Sequence, residues 1–171
     1  MVERRDELYQ QAVATFGAAL ERLARAYEAD SDKQRDLLQD IHLSIWRSFD
    51  GFEGRCSLRT WIYRVAHNTA TSYVIQQSRR NAPLLEVEDL EILADLRDHG
   101  RDLERQSVLD RLFDLIHRLK PVDRQIILLY LEDLDAATIG EITGLSASHV
   151  RTQVHRIRNI LVRRFQEGAK R

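Results

Sequence analysis

Tyr9, Val13, Phe16, Leu20, Leu23 and Tyr27 recur at alternating steps of four and three, which predicts an amphipathic helix over residues 4–29. A second stripe, Leu38, Ile41, Ile45 and Phe49, predicts a helix over 33–49. The tract "DGFEGRCS" (50–57) then supplies two glycines and, in Ser57, a candidate N-cap, so the chain turns and starts a third helix that runs to about Ser78. On that helix Leu58, Trp61, Ile62, Val65 and Thr69 share one side and are expected to face inward, whereas Arg59, Tyr63, His67 and Thr71 point away. These three helices make a first domain, residues 1–80.

Residues 81–104 break the pattern. They contain Pro83, keep no long single period and read as a linker, with room for a short helix around 88–97. Helical spacing returns over 103–119 with Leu109, Leu112, Ile116 and Leu119. Pro121 suits the first turn of the following helix, "PVDRQIILLYLED". Asp135 is placed to cap the next helix, Gly144 to end it in the left-handed conformation, and Ser146 to cap a last helix over 147–165. Residues 105–171 therefore form a second domain. With no segment of strand alternation and no internal repeat, the expected fold is all-α: two small helical domains joined by a linker.

The last helix has two distinct faces. Val150, Val154, Ile157 and Leu161 form an inward stripe, while Ser148, Thr152, His155 and Asn159 point outward, flanked by Arg151 and Arg156. A helix, a short turn containing Gly144, and a second helix with a polar cationic face is helix-turn-helix geometry, suited to a major groove. A structural αα-hairpin has the same outline, so this motif is only moderately specific.

Charge supports a polyanion partner. Residues 1–80 carry 12 Lys/Arg against 11 Asp/Glu, residues 81–104 carry 2 against 8, and residues 105–171 carry 12 against 8. Within 146–171 there are 7 basic residues against Glu167 alone, the electrostatic footprint of nucleic acid binding. Composition excludes other classes. A hydrophobic share of 43% and a charged share of 31% are ordinary for one domain or two small ones. No run of about 18 apolar residues exists and the N-terminus lacks the apolar stretch of a secretory signal, so a cytoplasmic address without membrane insertion is expected. The single Cys56 excludes an internal disulfide, and none of the six histidines makes an i, i+4 pair or an HExxH pattern, so no metal is expected. With no phosphate loop and no nucleophile elbow, no catalytic residue and no cofactor are nominated, and a non-enzymatic protein is expected.

Two sequence blocks point to a family. "LLQDIHLSIWRSFDGFEGRCSLRTWIYRVAHNTATSYV" (37–74) resembles the promoter-melting domain of bacterial sigma factors, and "LKPVDRQIILLYLEDLDAATIGEITGLSASHVRTQVHRIRNIL" (119–161) resembles their promoter-reading C-terminal domain. Both blocks in this order, with only a short acidic linker between them, resemble the small extracytoplasmic-function (ECF) sigma factors of the sigma-70 family. The resemblance implies a dissociable, monomeric subunit that brings core RNA polymerase to promoter DNA and helps open it. An anti-sigma factor or an activating modifying enzyme is the class of regulator it implies.

Carried over by position, the resemblance assigns Asp36, Gln39, Asp40, Ser44 and Trp46 to docking on core polymerase, with Trp46 and Leu43 equally readable as core. It assigns Arg59, Thr60, Tyr63, Arg64, His67 and Asn68, with Phe52 and Arg55 of the preceding loop, to the minus-ten element. Melted bases are held by pockets and by stacking on aromatic or guanidinium planes. It assigns Ser148, His149, Arg151, Thr152, Gln153 and Arg156 to the minus-thirty-five element, where arginine can grip guanine and glutamine adenine. Arg158, Arg163 and Arg164 are expected on phosphate or, alternatively, only to solubilise the end of the helix. One departure stands out: the family's acidic "DAED"-like run is replaced here by Lys33-Gln34-Arg35-Asp36, with Asp32 and Asp36 as partial substitutes. A modification or partner could supply the missing negative charge. The linker's eight acids have two readings, a polyanion mimic threaded through polymerase or a solvated tether. A self-sufficient helix-turn-helix regulator is the competing function, but no dimerisation helix is left once both domains are assigned.

Overall fold

The computed structural model describes residues 2–81 and 108–169, with side chains for 4–77 and 108–166. The linker from residue 82 onward, with the helix considered at 88–97, lies outside the described residues. Within them the chain forms seven α-helices and one 3-10 turn, and no strand. In order these are α1 (Val2–Tyr27), α2 (Ser31–Ser48), the turn Phe49–Gly51, α3 (Leu58–Asn81), α4 (Val108–His117), α5 (Pro121–Leu131), α6 (Ala136–Thr143) and α7 (Ala147–Ala169).

Capping residues set where the helices begin. Asp30 accepts the backbone N–H groups of Asp32 (3.0 Å) and Lys33 (3.1 Å), so α2 starts two residues earlier than its apolar stripe predicts. Ser57 Oγ accepts the Thr60 N–H at 3.0 Å and lies 2.8 Å from the Thr60 hydroxyl. Pro121 opens α5 in the first turn, where its missing N–H removes no intrahelical bond. Asp135 caps α6 through the Thr138 N–H at 2.7 Å, and that bond, made to the charged form, holds its carboxyl below the usual range. Ser146 caps α7 through the His149 N–H at 3.2 Å.

Helices α1–α3 pack into a first lobe whose core includes Leu20, Leu23, Leu37, Ile41, Ile45, Phe49 and Ile62, all buried. Each such side chain contributes about 1.5–3 kcal/mol when fully buried. The α1 stripe is supplemented by Ala12, Ala19, Ala24 and Ala26, small enough to let a neighbouring helix approach closely. On α2 the fully buried position falls to Leu37, and Leu38 is half-buried. Helices α4–α7 form the second lobe, in which the predicted stripe of α7, Val150, Val154, Ile157 and Leu161, is buried. On α4 burial deepens along the helix. Leu109, expected inward, sits in the first turn and stays 60% exposed, Leu112 is half-buried, and Ile116 is fully buried.

The two lobes are in contact. Helix α4 lies on α1, while α5 and α6 lie on α3. Helix α5 is thus packed from both sides, against α3 of the first lobe and α7 of its own, and six consecutive residues, Arg124 to Leu129, are buried. A helix buried all round its circumference reads as apolar all round, as "IILL" does. Arg124 is the charged member of that run. Its guanidinium donates to the carbonyl oxygens of His117 (2.5 Å) and Leu119 (3.2 Å) at the end of α4, and lies 5.3 Å over the Tyr27 ring of the first lobe. Carbonyls at a helix C-terminus carry partial negative charge, which offsets part of the cost of burying the cation.

Candidate nucleic-acid interface

The turn between α6 and α7 is built for close approach. Gly144 adopts φ 78°, the left-handed conformation, and its N–H closes α6 on the Gly140 carbonyl at 2.8 Å. Gly140 itself is buried, and a Cβ there would stand 2.5 Å from the Leu145 carbonyl oxygen. Absence of a side chain at Gly140 lets the turn fold back onto α6 and sets the direction in which α7 leaves.

Helix α7 presents the expected outer face. Ser148, His149, Arg151, Thr152 and Arg156 are exposed and Gln153 is half-exposed. Several are already held in place: Thr152 Oγ1 donates to the Ser148 carbonyl at 3.1 Å, Gln153 Nε2 lies 3.3 Å from His149 Nε2, and Arg156 pairs with Asp123 of α5 at 3.3 Å. Arg151 is exposed and lies outside the ion pairs among the described residues, so its fork is available to a base edge. Arg158, 5.8 Å over the Tyr130 ring, extends the cationic surface with the exposed Arg163 and Arg164.

The α3 face differs from expectation. Thr60, Tyr63 and His67, expected to be exposed, are 6%, 2% and 1% exposed. The causes are distinct. Thr60 belongs to the cap of α3 through Ser57. His67 lies between two tyrosines, its Nδ1 at 3.3 Å from Tyr27 Oη and its ring 6.4 Å from that of Tyr63, and burial pushes its pKa down to about 3. Tyr63 is covered by the Phe16 ring at 6.0 Å and by the second lobe, and donates its hydroxyl to Glu132 Oε2 at 3.2 Å. Burial, together with the adjacent carboxylate, pushes its pKa up to about 12, so it stays a neutral donor. Thr71, also expected outside, is half-buried with its hydroxyl 3.5 Å from Tyr27 Oη. The physical reason is that α3 is covered on both sides, by α1 and α2 and again by α5 and α6, so no single stripe describes it.

Among the other α3 residues, Arg59 is exposed and donates to the Glu132 carbonyl, while Arg64 is half-buried and donates to the Glu141 carbonyl at 3.1 Å. Asn68 is exposed. In the preceding loop Gly54 takes φ 75°. Phe52 is half-buried, its ring 5.4 Å from that of Trp61 and 6.2 Å from that of Phe49, so its plane is committed to an aromatic cluster. Arg55 is exposed and pairs with Glu53.

The candidate polymerase-docking residues Asp36, Gln39 and Asp40 are exposed on α2, and Ser44 and Trp46 are half-buried. Leu43, readable as core, is 44% exposed beside them. Trp46 has a structural role in α1 packing: Arg5 stacks 3.6 Å from its ring centroid, and its Nε1–H donates to Asp6 at 2.9 Å. Asp32 pairs with Arg35, so of the two substitute acids it is the one whose charge is offset locally.

No sequence signal marks Glu132, whose carboxylate is the hub between the lobes. It accepts Arg22 through two bonds of 2.9 Å each and the Tyr63 hydroxyl. Arg22 on α1 and Glu132 at the end of α5 are 110 residues apart, and the contact between the lobes brings them together.

Comparisons with known proteins agree with this arrangement. Residues 12–80 match the family model for sigma-70 region 2, and residues 109–161 match that for sigma-70 region 4. The chain is 34% identical over 141 residues to the ECF RNA polymerase sigma-E factor of Haemophilus influenzae, covering 77% of this chain and 74% of that protein. It is 28% identical over 136 residues to the RNA polymerase sigma factor SigV of Bacillus subtilis, covering 79% and 77%. Among solved structures, the sigma factor RpoE in complex with the anti-sigma factor NepR from Bartonella quintana superposes with a TM-score of 0.68 at 22% identity, covering 95% of this chain and 96% of that one. CnrH in complex with the cytosolic domain of CnrY gives 0.65 at 21% identity, covering 93% and 88%.

Proposed function

This chain belongs to the extracytoplasmic-function group of the sigma-70 family, and from that premise we propose how its surfaces divide the work of promoter-specific transcription initiation. Helix α7 reads the minus-thirty-five element through Ser148, His149, Arg151, Thr152, Gln153 and Arg156. The α3 side chains Arg59, Arg64 and Asn68, with Arg55 of the loop, hold minus-ten DNA, joined by Tyr63 once the second lobe leaves it. The exposed surface of α2, Asp36, Gln39, Asp40 and Leu43, docks on core RNA polymerase. The first lobe spans residues 1–80, the acidic linker 81–104 and the second lobe 105–171. The protein acts as a binding factor in the cytoplasm and performs no catalysis of its own, and its regulators are an anti-sigma factor or a modifying enzyme.

The observation that carries this reading is the coexistence, on one chain, of an exposed cationic helix-turn-helix face in the second lobe and, in the first lobe, an α3 surface that bears Arg59, Arg64 and Asn68. A self-sufficient regulator needs only the first of these. Run-off transcription with purified core polymerase on genomic fragments is the direct test. Discrete transcripts that depend on the chain are expected, and failure to associate with core polymerase in any state of modification would overturn the reading.

Within α7 the roles separate by mutation. Arg151→Ala is expected to cost about 1–3 kcal/mol on the preferred duplex and to relax preference at one base pair, because a bidentate guanidinium contact is lost. Arg163→Ala is expected to weaken binding about equally for all sequences and to lower the salt slope by about one, as for a phosphate contact. Fluorescence anisotropy over a set of single-base duplex variants at several salt concentrations measures both. Equal effects of the two substitutions on specific and random duplexes would remove Arg151 from the reading face.

A further inference from the structure

Two amide side chains on the outer part of α7 are each met by a histidine one turn earlier. Gln153 Nε2 stands 3.3 Å from His149 Nε2, and Asn159 Nδ2 stands 3.1 Å from His155 Nε2. Residues four apart on a helix are surface neighbours, so each pair forms without help from another element. The pairs differ at the other end of the amide. Gln153 flanks the inward stripe, three residues after Val150 and four before Ile157, and its Oε1 is buried without a hydrogen-bond partner among the described residues. Asn159 is exposed and has no such buried oxygen.

Donor counting gives the orientation of the Gln153 amide. An amide carries two N–H donors at one end and a carbonyl acceptor at the other, while a neutral imidazole carries one donor and one acceptor. Turned over, Gln153 would bury two unmade donors in place of one unmade acceptor, and each buried unpaired group costs its full desolvation. The nitrogen therefore faces His149, whose Nε2 accepts and whose proton sits on Nδ1. One N–H is spent on the histidine and the oxygen lies inside, which leaves a single N–H for DNA.

We infer that His149 sets the base preference of Gln153 by holding its amide as a single donor, and so denies it the adenine contact expected of a glutamine. The inference rests on the reading of α7 as the minus-thirty-five helix. An amide recognises adenine by donating to N7 and accepting from the N6 amino group at once, which needs its nitrogen and oxygen side by side on the base edge. A lone N–H finds an acceptor on adenine, guanine or thymine, whereas cytosine offers it only the N4 amino group, itself a donor. Gln153 thus rejects cytosine and treats adenine and guanine alike. In this role His149 is a positioning residue, acting through Gln153.

The test is a binding selection with the holoenzyme, the full chain on core RNA polymerase. The probe is the duplex of a promoter mapped by run-off transcription, randomised across its minus-thirty-five element, and the bound fraction is sequenced. The parent is compared with Gln153→Ala, His149→Ala and the double variant, with Arg151→Ala as the reference for the helix. His149 is exposed and its substitution by alanine keeps the backbone N–H that Ser146 accepts, so the start of α7 is retained. Gln153→Ala identifies its base pair as the one whose preference it flattens.

At that pair the parent is expected to bind adenine and guanine within about twofold of each other, and His149→Ala to prefer adenine over guanine roughly tenfold, because the freed amide can turn and bind adenine through two bonds. The double variant is expected to lose that preference. A merely structural role for His149 would change overall affinity and leave the ratio of two purines at one position where it was. An unchanged ratio in His149→Ala overturns the inference, as does an adenine preference of roughly tenfold already present in the parent. A preference that survives in the double variant belongs to another residue and overturns it too. If Gln153→Ala flattens no base pair while Arg151→Ala flattens one, α7 reads the element and the inference about Gln153 is wrong. If neither flattens any, the reading of α7 falls and the inference with it.

Discussion

Gly140→Ala is expected to destabilise the second lobe by about 2 kcal/mol and to weaken duplex binding by α7 at the same time. Two effects compete. Alanine favours a helix over glycine by about 1 kcal/mol, which taken alone makes the substitution stabilising. Against this, the new Cβ would lie 2.5 Å from the Leu145 carbonyl oxygen, a backbone atom that cannot rotate aside. Overpacking of this kind costs about 1–3 kcal/mol and occasionally more, and here relief requires shifting the turn that aims α7. Gly144→Ala is the informative control. Its cost comes from the left-handed φ of 78° alone, because nothing lies within 4 Å of a Cβ there, and about 1 kcal/mol is expected. Urea titration of both variants, followed by duplex-binding anisotropy, ranks them. Should Gly144→Ala prove the more damaging, close approach of the turn to α6 does not set the angle of α7.

The second large effect is on pH dependence. His67 is 1% exposed, lies between Tyr27 and Tyr63, and has its pKa pushed by burial to about 3. In the unfolded chain the same imidazole titrates near its ordinary value of about 6.5. Below that value the unfolded chain takes up a proton that the folded chain refuses, so stability falls with acidity from about pH 6.5 down to about pH 3, at up to about 1.4 kcal/mol per pH unit. The stability contributed by the neutral ring is thus complete above pH 6.5. Between pH 7 and pH 5 a loss of about 2 kcal/mol is expected from His67 alone. Burial also lowers the pKa values of His42 and His117, which add in the same direction. Urea melts at several pH values on the parent and on His67→Asn separate the contributions: the variant is less stable at pH 7, but its slope with pH should be flatter. An unchanged slope would mean that His67 is protonated in the folded chain, with Tyr27 Oη as a partner that compensates its burial.

Helix-turn-helix geometry was legible because its determinants are local. Asp135, Gly144 and Ser146 occupy the cap positions that their side chains or φ demand, and the α7 stripe Val150, Val154, Ile157 and Leu161 is buried as its spacing predicts. The helices of the first lobe were legible for the same reason. Gly140 escaped notice since nothing in its neighbours distinguishes a glycine in a helix from one pressed against a distant turn. The α3 surface was misjudged at Thr60, Tyr63 and His67 because amphipathic reasoning assumes one buried face per helix. A hint was present in "RQIILL": a helix apolar on every side must be packed on every side, and that places a second lobe against the first.

Sequence alone determined the approximate places of the seven helices among the described residues, the caps at Ser57, Asp135, Gly144 and Ser146, and the polar outer face of α7, since each depends on residues within about one or two turns of one another. Tertiary structure decided which α3 side chains are free, the pKa of His67, the close approach at Gly140 and the hub at Glu132. All four arise from surfaces brought together across long stretches of chain, as Arg22 and Glu132 are across 110 residues, and periodicity within a helix carries no information about what another helix brings to its far side.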